Sequence, residues 1–310
     1  MCCTEMISAK GLLYGSPGTG ELLRTTPVGK DADRLKNAPE SSLPEDFPLV
    51  VQLFGAEPEL LGRAVEWLKG RGIVYFDLNM GCSVPKVAKT GAGAALLRRP
   101  ESALAAARAL ILAAGLGRAG VKLRLGWDMD REVWRELALE LERTGAAWLA
   151  LHPRFGKEGF SGRARWERLA ELKDMLHIPV IASGDLLNAH DAVRCLTETG
   201  VDAVMFARGA MYNPGVFSEL NGLLRTAGPG LTKTPAASPA ELHRRIRRHF
   251  NLSLRLYGER ATLLKMRTFA PRYARGIAGA RALRARLMLC RTPVEVEALL
   301  DDLFQTAGKE

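Results

Sequence analysis

The stretch Asp77 to Leu97, which reads DLNMGCSVPKVAKTGAGAALL, contains residues whose types and spacing could do chemistry. Cys82 follows an apolar run and precedes a basic, glycine-rich segment. A lone cysteine is commonly a small buried side chain, whereas a thiol held at the end of a strand can act as an acid or a nucleophile. Both interpretations of Cys82 are open at this point.

Other polar residues occupy similar positions, at or just beyond the ends of short apolar runs. The runs are 49–55, 73–79, 120–126, 148–154, 179–185 and 203–209. The polar residues at their ends are Gln52, Asn79, Lys122, His152, Arg154, Ser183, Asp185 and Arg208. Runs that are apolar on both faces predict parallel strands covered by helices. The carboxyl ends of such strands are where active sites are built.

Helical patterns at 58–72, 130–145 and 188–200 separate these runs, and this alternation predicts the α/β class with a parallel sheet. The polar residues are spread over many strand ends, and no G-x-G-x-x-G segment follows a strand. Both features favour a (β/α)₈ TIM barrel over an open doubly wound sheet. Only residues 1–6 can be added to the six strands. Seven strands are therefore predicted, where a closed barrel needs eight, so the first βα unit is expected to be missing.

The C-terminal third has a different pattern. The segment 213–225 is predicted to be the last barrel helix, which gives a barrel domain over 1–227. A Gly-, Pro- and Thr-rich linker is predicted over 228–238. Leu242, Ile246, Phe250 and Leu254 recur at spacings of four, so a small all-α domain is expected over 239–310.

Charge is concentrated in this helical region. Between Glu241 and Arg291 there are fourteen Lys or Arg and two acids, so this segment has a net charge of +12. The whole chain has a net charge of +10, and the residues outside the segment therefore sum to −2. A block of one sign on a small helical module favours a polyanionic partner such as nucleic acid over a solvated surface of mixed charge.

Composition narrows the class of protein further. Hydrophobic residues make up 47% of the chain, and the N-terminus has no signal-peptide pattern. The five cysteines form no C-x-x-C pair and no metal-ligand spacing, which favours reduced thiols in a cytoplasm and no metal. No membrane association is expected, since the longest apolar stretch is too short to span a bilayer.

Several rim segments together carry a family resemblance: DLNMGC with GAGAAL, then VKLRLGW, LHPR, IPVIASGD and VMFARGAMYNPGVF. In this order they resemble the tRNA-dihydrouridine synthase family over essentially the whole chain. The resemblance implies an FMN-dependent (β/α)₈ barrel with a C-terminal helical tRNA-binding domain. The family's opening strand and helix precede the segment that matches CCTEM, so this chain is expected to start one βα unit late.

The resemblance also implies roles for individual residues. Cys82 would be the general acid that protonates C5 of a uracil ring while reduced FMN delivers hydride to C6, with NADPH or NADH as the reductant. The expected FMN-binding residues are Gln52, Lys122, His152, Ser183, Gly184, Asp185, Ala207, Arg208 and Gly209. Asn79 and Arg154 are expected at the uracil edge and a neighbouring phosphate. The expected tRNA contacts are Lys86, Lys89, Arg244, Arg248, Lys265 and Arg267, and a monomer is expected.

Four residues depart from the family pattern: Ser83, Pro153, Ser183 and Ala207. Two alternatives therefore stay open. A free-pyrimidine flavin oxidoreductase of the dihydroorotate dehydrogenase type would share the barrel and FMN, but would not need the basic helices. An inactive, truncated tRNA-binding remnant would keep the basic helices without holding FMN.

Overall fold

The structure, a computed structural model, describes residues 1–16, 19–23, 48–226, 238–275, 277 and 279–307. The chain divides into two compact units. The first comprises Met1–Asp185 and Cys195–Met205, and the second comprises Leu186–Arg194 and Phe206–Glu310. The first unit contains a parallel sheet, and the second contains the helical C-terminal region.

The sheet has eight strands, all paired in parallel. They are β1 Cys2–Cys3, β2 Ile7–Ser8, β3 Leu49–Phe54, β4 Tyr75–Asn79, β5 Ala119–Arg124, β6 Leu149–His152, β7 Val180–Ser183 and β8 Ala203–Met205. β1 pairs with the start of β3 and β2 with its end, so the two share one position in the sheet. Within the described ranges the sheet thus has seven positions, the number of strands expected from the sequence. Within the described residues, β8 has no strand partner besides β7.

Helices follow most strands, as the alternation predicts. They are α1 Ala9–Leu13, α2 Thr19–Leu22, α3 Pro58–Lys69, α4 Pro85–Ala88, α5 Pro100–Ala114, α6 Trp134–Thr144, α7 Glu167–Met175, α8 Ala189–Thr199, α9 Arg208–Tyr212, α10 Val216–Thr226, α11 Pro239–Tyr273, α12 Ala280–Leu289 and α13 Pro293–Ala307. A 3-10 helix covers Gly93–Arg98. The predicted α/β class and the C-terminal helical region are both confirmed. None of the helices in the described ranges is long and apolar enough to cross a membrane.

Burial of the strands follows their place in the sheet. β6 and β7 are buried along their whole length, and β3 is buried except at Phe54. These strands match the predicted apolar character on both faces. β8 is only half-buried at each of its three residues. The prediction was wrong for β8, which stands at the end of the described sheet and has a neighbouring strand on one side only.

The second unit has its own hydrophobic core. Ile246 and Phe250, two of the residues at spacing four, lie fully buried in it beside Met266. The long helix α11 is interrupted at Gly258, whose φ of 75° and ψ of 176° are not helical. Contacts group residues 206–226 with the helical region, although the sequence assigns them to the barrel domain. Residues 228–237 of the predicted linker lie outside the described residues.

Candidate active site

Three polar side chains at the ends of β3 and β4 form a buried hydrogen-bonded chain. Gln52 lies opposite Asp77 in the β3–β4 register. Gln52 Nε2 donates to Asp77 Oδ2 at 2.8 Å, and Asn79 Nδ2 donates to Gln52 Oε1 at 2.8 Å. Trp148 Nε1 donates to the other Asp77 oxygen at 3.2 Å. All three side chains are buried, so each one fixes the orientation of the next.

This chain positions the backbone at Cys82. Asn79 Oδ1 accepts from the amides of Gly81, at 3.0 Å, and Cys82, at 2.9 Å, which closes a turn directly after β4. On the other side, the Cys82 carbonyl accepts from the Ala94 amide at 2.9 Å. A Cβ added at Gly93, where φ is 63°, would lie 2.5 Å from that carbonyl oxygen, so only glycine fits there. The thiol is half-buried at the end of its strand.

A half-buried cation lies beside this turn. Lys122 on β5 lies opposite Asn79 in the register, and Cys82 is close enough to affect its charge state. Burial first, then the neighbouring Arg124, lowers the pKa of Lys122 to about 8. Burial also raises the pKa of Asp77 to about 6, against the effect of its hydrogen bonds to Gln52 and Trp148. Among the described residues, the Lys122 ammonium has no hydrogen-bond acceptor.

Arg124, at the end of β5, joins the Cys82 turn to the loop that follows β6. Its Nε donates to the Gly81 carbonyl at 2.7 Å, and its Nη1 donates to the carbonyls of Phe155, at 2.7 Å, and Gly159, at 2.9 Å. Burial, followed by repulsion from Arg154, lowers the pKa of the guanidinium to about 10. The group is therefore charged at neutral pH and acts as a bridge between two loops.

The ends of β6 and β7 meet around Arg154, which is 1% exposed. Its Nη2 binds Asp185 Oδ2 at 2.7 Å and the Gly162 carbonyl at 2.6 Å, and its Nη1 lies 3.2 Å from His152 Nε2. At Gly184, where φ is 107°, a Cβ would lie 2.6 Å from the His152 ring. The glycine therefore allows β7 to approach that histidine.

A family model described as dihydrouridine synthase matches residues 1–308 of this chain. The chain belongs to the dihydrouridine synthase family. A probable tRNA-dihydrouridine synthase 1 of Synechocystis is 34% identical over 307 residues, which cover 99% of this chain and 80% of the relative. A probable tRNA-dihydrouridine synthase of Mycobacterium tuberculosis is 34% identical over 97% of this chain and 73% of its own. The tRNA-dihydrouridine synthase B of Xanthomonas axonopodis is 32% identical over a match that covers 84% of this chain and 77% of the relative.

Solved structures with a similar fold are more distant. An old yellow enzyme homologue from Zymomonas mobilis is 14% identical, with a TM-score of 0.39, over 57% of this chain and 52% of that one. Morphinone reductase in complex with tetrahydroNAD is 18% identical, with a TM-score of 0.39, over 59% of this chain and 51% of that one. The chain thus spans about half the length of these structures.

Dihydrouridine synthases are flavin-dependent, and the strand ends of this chain fit such a cofactor. Lys122 offers a half-buried ammonium that no described residue accepts from, close to the Cys82 turn. A half-buried cation that is not engaged by a protein acceptor is available to a ligand with an anionic or carbonyl edge. The reduced flavin ring has such an edge at N1 and C2.

The structure brings part of the predicted family set together in the first unit. Gln52, Asn79, Lys122 and His152 lie at the ends of neighbouring strands β3 to β6, and Ser183 ends β7. The side chains of Gln52 and Asn79 are already bonded to each other and to protein groups. Their geometry supports holding the Cys82 turn in place, and contacts to flavin and uracil stay predictions.

Two further predicted residues are engaged with each other. Arg154 and Asp185 form a salt bridge at 2.7 Å, and Asp185 also accepts from the Ala164 amide at 2.8 Å. Arg154 Nε donates to the Ser161 carbonyl at 3.0 Å. These bonds support a structural role for the pair, and no contact to a phosphate is needed to explain its burial.

Ala207, Arg208 and Gly209 belong to the second unit. Ala207 is exposed, and Arg208 and Gly209 begin α9, which is only five residues long. Gly209 is buried against its own unit, since a Cβ there would lie 2.6 Å from the Leu186 carbonyl oxygen. Their predicted contacts to the flavin phosphate stay predictions.

The predicted tRNA contacts differ from one another in their surroundings. Lys86 and Lys89, in and after α4, are exposed, and no described carboxylate pairs with either. Arg244 is exposed but pairs with Glu241. The remaining members of the set are Arg248, exposed, and Lys265 and Arg267, half-buried.

Sequence reasoning missed three residues of this site. Asp77 and Arg124 were inside the recognised segments DLN and LRLG, and buried charges at strand ends could have singled them out. Phe160 was not considered, although it is 62% exposed with its ring centroid 6.1 Å from that of His152. An exposed aromatic ring in a loop after a barrel strand is a signal for stacking on a planar substrate.

Proposed function

We propose that this chain is a tRNA-dihydrouridine synthase that reduces the C5–C6 double bond of uridines in tRNA, with bound FMN and NADPH or NADH as reductant. Membership of the family supports the reaction class. The observation that carries the proposal is the half-buried Cys82 thiol, in a turn held by Asn79 beside the half-buried Lys122. A thiol that merely filled space would need neither the turn nor the neighbouring cation.

In this proposal the flavin supplies the hydride for C6 of the uracil ring when it is bound. Cys82 donates the proton to C5, since negative charge develops at that carbon and a cysteine thiol is largely protonated at neutral pH. Asn79 fixes the distance from the strand to the thiol through two amide bonds. Lys122 would hold the edge of the flavin ring, because a cation partly removed from water attracts the negative charge of the reduced ring.

The C-terminal helices supply the affinity for tRNA in this proposal. Within the described residues, ten cations of the second unit have no carboxylate within ion-pair distance: Arg225, Arg255, Arg260, Lys265, Arg267, Arg272, Arg275, Arg281, Arg284 and Arg291. Cations that have no protein counterion are free to release counterions from a phosphate backbone. A free-pyrimidine oxidoreductase would have no use for them. We place the enzyme in the cytoplasm, as a monomer.

The test is a stepwise reduction and reoxidation of the purified chain without oxygen. We expect a flavin absorption spectrum that is bleached by NADPH and restored by unmodified tRNA, with dihydrouridine detected in the tRNA by mass spectrometry. Orotate is the control substrate. Reoxidation by orotate and not by tRNA would support the free-pyrimidine alternative, and protein without flavin that still binds tRNA would support the inactive remnant.

A further inference from the structure

The second unit contains a cavity of about 560 Å³ with residues of α9 and α11 in its lining. This volume lies within the range of about 300–1,000 Å³ that is typical of small-molecule sites. The residues that matter here are Met211, Arg245, Arg248, His249, Phe269 and Tyr273. None of them belongs to the Cys82 site.

The charge around this cavity is positive. Its lining includes two arginines and no carboxylate. Arg245 pairs with Glu219 and Glu241, and Arg248 is exposed at the cavity. Arg272 adds a cation nearby, with its Nη1 3.9 Å from the sulfur of Met211. An anionic group would therefore be attracted to this cavity.

Aromatic rings form one side of the cavity. The rings of His249 and Phe269 meet edge to face at a centroid distance of 4.9 Å, and His249 Nδ1 lies 3.0 Å from the Tyr273 hydroxyl. Burial first, then Lys265, lowers the pKa of His249, which favours the neutral ring. Within the described residues, the other ring nitrogen, Nε2, has no hydrogen-bond partner. A flat ligand with a polar edge could stack here and bond to that nitrogen.

The combination of arginines and aromatic rings in the cavity lining favours one class of ligand. An apolar ligand would not need the arginines, and a simple anion would not need the aromatic wall. Nucleotides have both a planar ring for stacking and a phosphate for arginine. We propose that this cavity binds one unstacked nucleotide of an RNA, with the base against Phe269 and His249 and the phosphate toward Arg248. The proposal rests on the proposed function only in taking tRNA as the source of that nucleotide.

The experiment measures binding of adenosine monophosphate and of unmodified tRNA to the full chain by calorimetry. The variants are Phe269→Leu, which removes the aromatic surface, and Arg248→Gln, which removes the charge. Arg286→Gln, at an exposed arginine of α12 that pairs with Asp302, is the matched control. Circular dichroism verifies that each variant is folded. We expect each cavity variant to weaken tRNA binding about tenfold, as loss of one stacked base does. The control should stay within about threefold.

The two ligands separate the possible sources of the nucleotide. Loss of tRNA affinity in both cavity variants, with or without measurable binding of the mononucleotide, supports a site for an RNA nucleotide. Wild-type tRNA affinity in both would overturn the proposal, even if the mononucleotide binds, since it would then bind elsewhere or serve as a free ligand. Cys82→Ala distinguishes the two functions: it should abolish dihydrouridine formation without changing the cavity's contribution to tRNA binding.

Discussion

The strand ends of the first unit and the helices of the second use charge in opposite ways. In the first unit, two arginines at the strand ends are buried and bonded to protein: Arg124 binds three carbonyl groups and Arg154 binds Asp185. In the helical unit, cations such as Arg281 and Arg284 are exposed and have no carboxylate partner in the described part of the chain.

The difference shows what each unit is built to do. A buried network fixes geometry, because every member needs its neighbour to offset the cost of leaving water. Exposed cations fix little, but they are available to a polyanion and act almost independently. Single substitutions should therefore have large, coupled effects in the first unit and small, separate effects in the second.

The largest expected effect is on the free energy of unfolding, at the buried Arg154. Arg154→Met removes the cation that pairs with the Asp185 carboxylate and the donor to two loop carbonyls, so we expect the free energy of unfolding to fall by about 3 kcal/mol or more. Urea denaturation measures this change. Adding Asp185→Asn should recover part of the loss, since the uncompensated charge is removed.

Arg143 provides the exposed control for that experiment. It pairs with Glu140 on α6, and the two side chains are 68% and 46% exposed. Arg143→Met should change the free energy of unfolding by less than about 0.5 kcal/mol. Equal losses at Arg154 and Arg143 would break the distinction between buried and exposed pairs.

A smaller effect concerns the pH dependence of stability at Asp77. Its pKa is about 6 in the folded state against 3.8 ordinarily, so between these values the folded chain holds a proton that the unfolded chain has lost. This group's contribution to the free energy of unfolding therefore falls as pH rises toward 6. Asp77→Asn removes that fall. Relative to wild type, the variant should gain about 2 kcal/mol between pH 4.5 and 7. A constant difference across that range would contradict the shift.

The smallest expected effect is on tRNA affinity in the helical unit. Lys265 lies over the Tyr257 ring at 4.4 Å without a described carboxylate partner, whereas Arg247 lies 3.6 Å from both Glu297 and Asp301. Lys265→Gln should weaken tRNA binding about threefold and reduce the slope of affinity against salt by about 1. Arg247→Gln should have a smaller effect on both the tRNA affinity and its salt dependence. A larger loss of affinity at Arg247 than at Lys265 would show that ion pairing does not decide which cations contact tRNA.

The strand-end positions of the candidate site residues could be predicted from the sequence, but the hydrogen bonds between their side chains could not. Parallel strands place their carboxyl ends at one edge, so Gln52, Lys122 and His152 could be assigned to a common rim from their positions alone. The Asp77–Gln52–Asn79 hydrogen-bonded chain could not be predicted. It depends on which side chains face each other across strands that are 25 or more residues apart.

The same limit applies to the helical unit. Spacing predicted the buried positions Ile246 and Phe250, because amphipathic periodicity is local. Which arginines are neutralised was not visible, since Asp301, the partner of Arg247, comes more than 50 residues later in a separate helix. The nucleotide cavity was missed for this reason too, as its lining combines α9 with both ends of the long α11.

Single-turnover kinetics of dihydrouridine formation test the assignment of Cys82 as the proton donor. Wild type, Cys82→Ala and the control Cys2→Ala, at an exposed thiol, are reduced with NADPH and mixed with unmodified tRNA without oxygen. We predict equal flavin reduction in all three, with dihydrouridine formation about 10²- to 10⁴-fold slower in Cys82→Ala only. Dihydrouridine formation by Cys82→Ala at the wild-type rate would contradict the account and return Cys82 to a structural role.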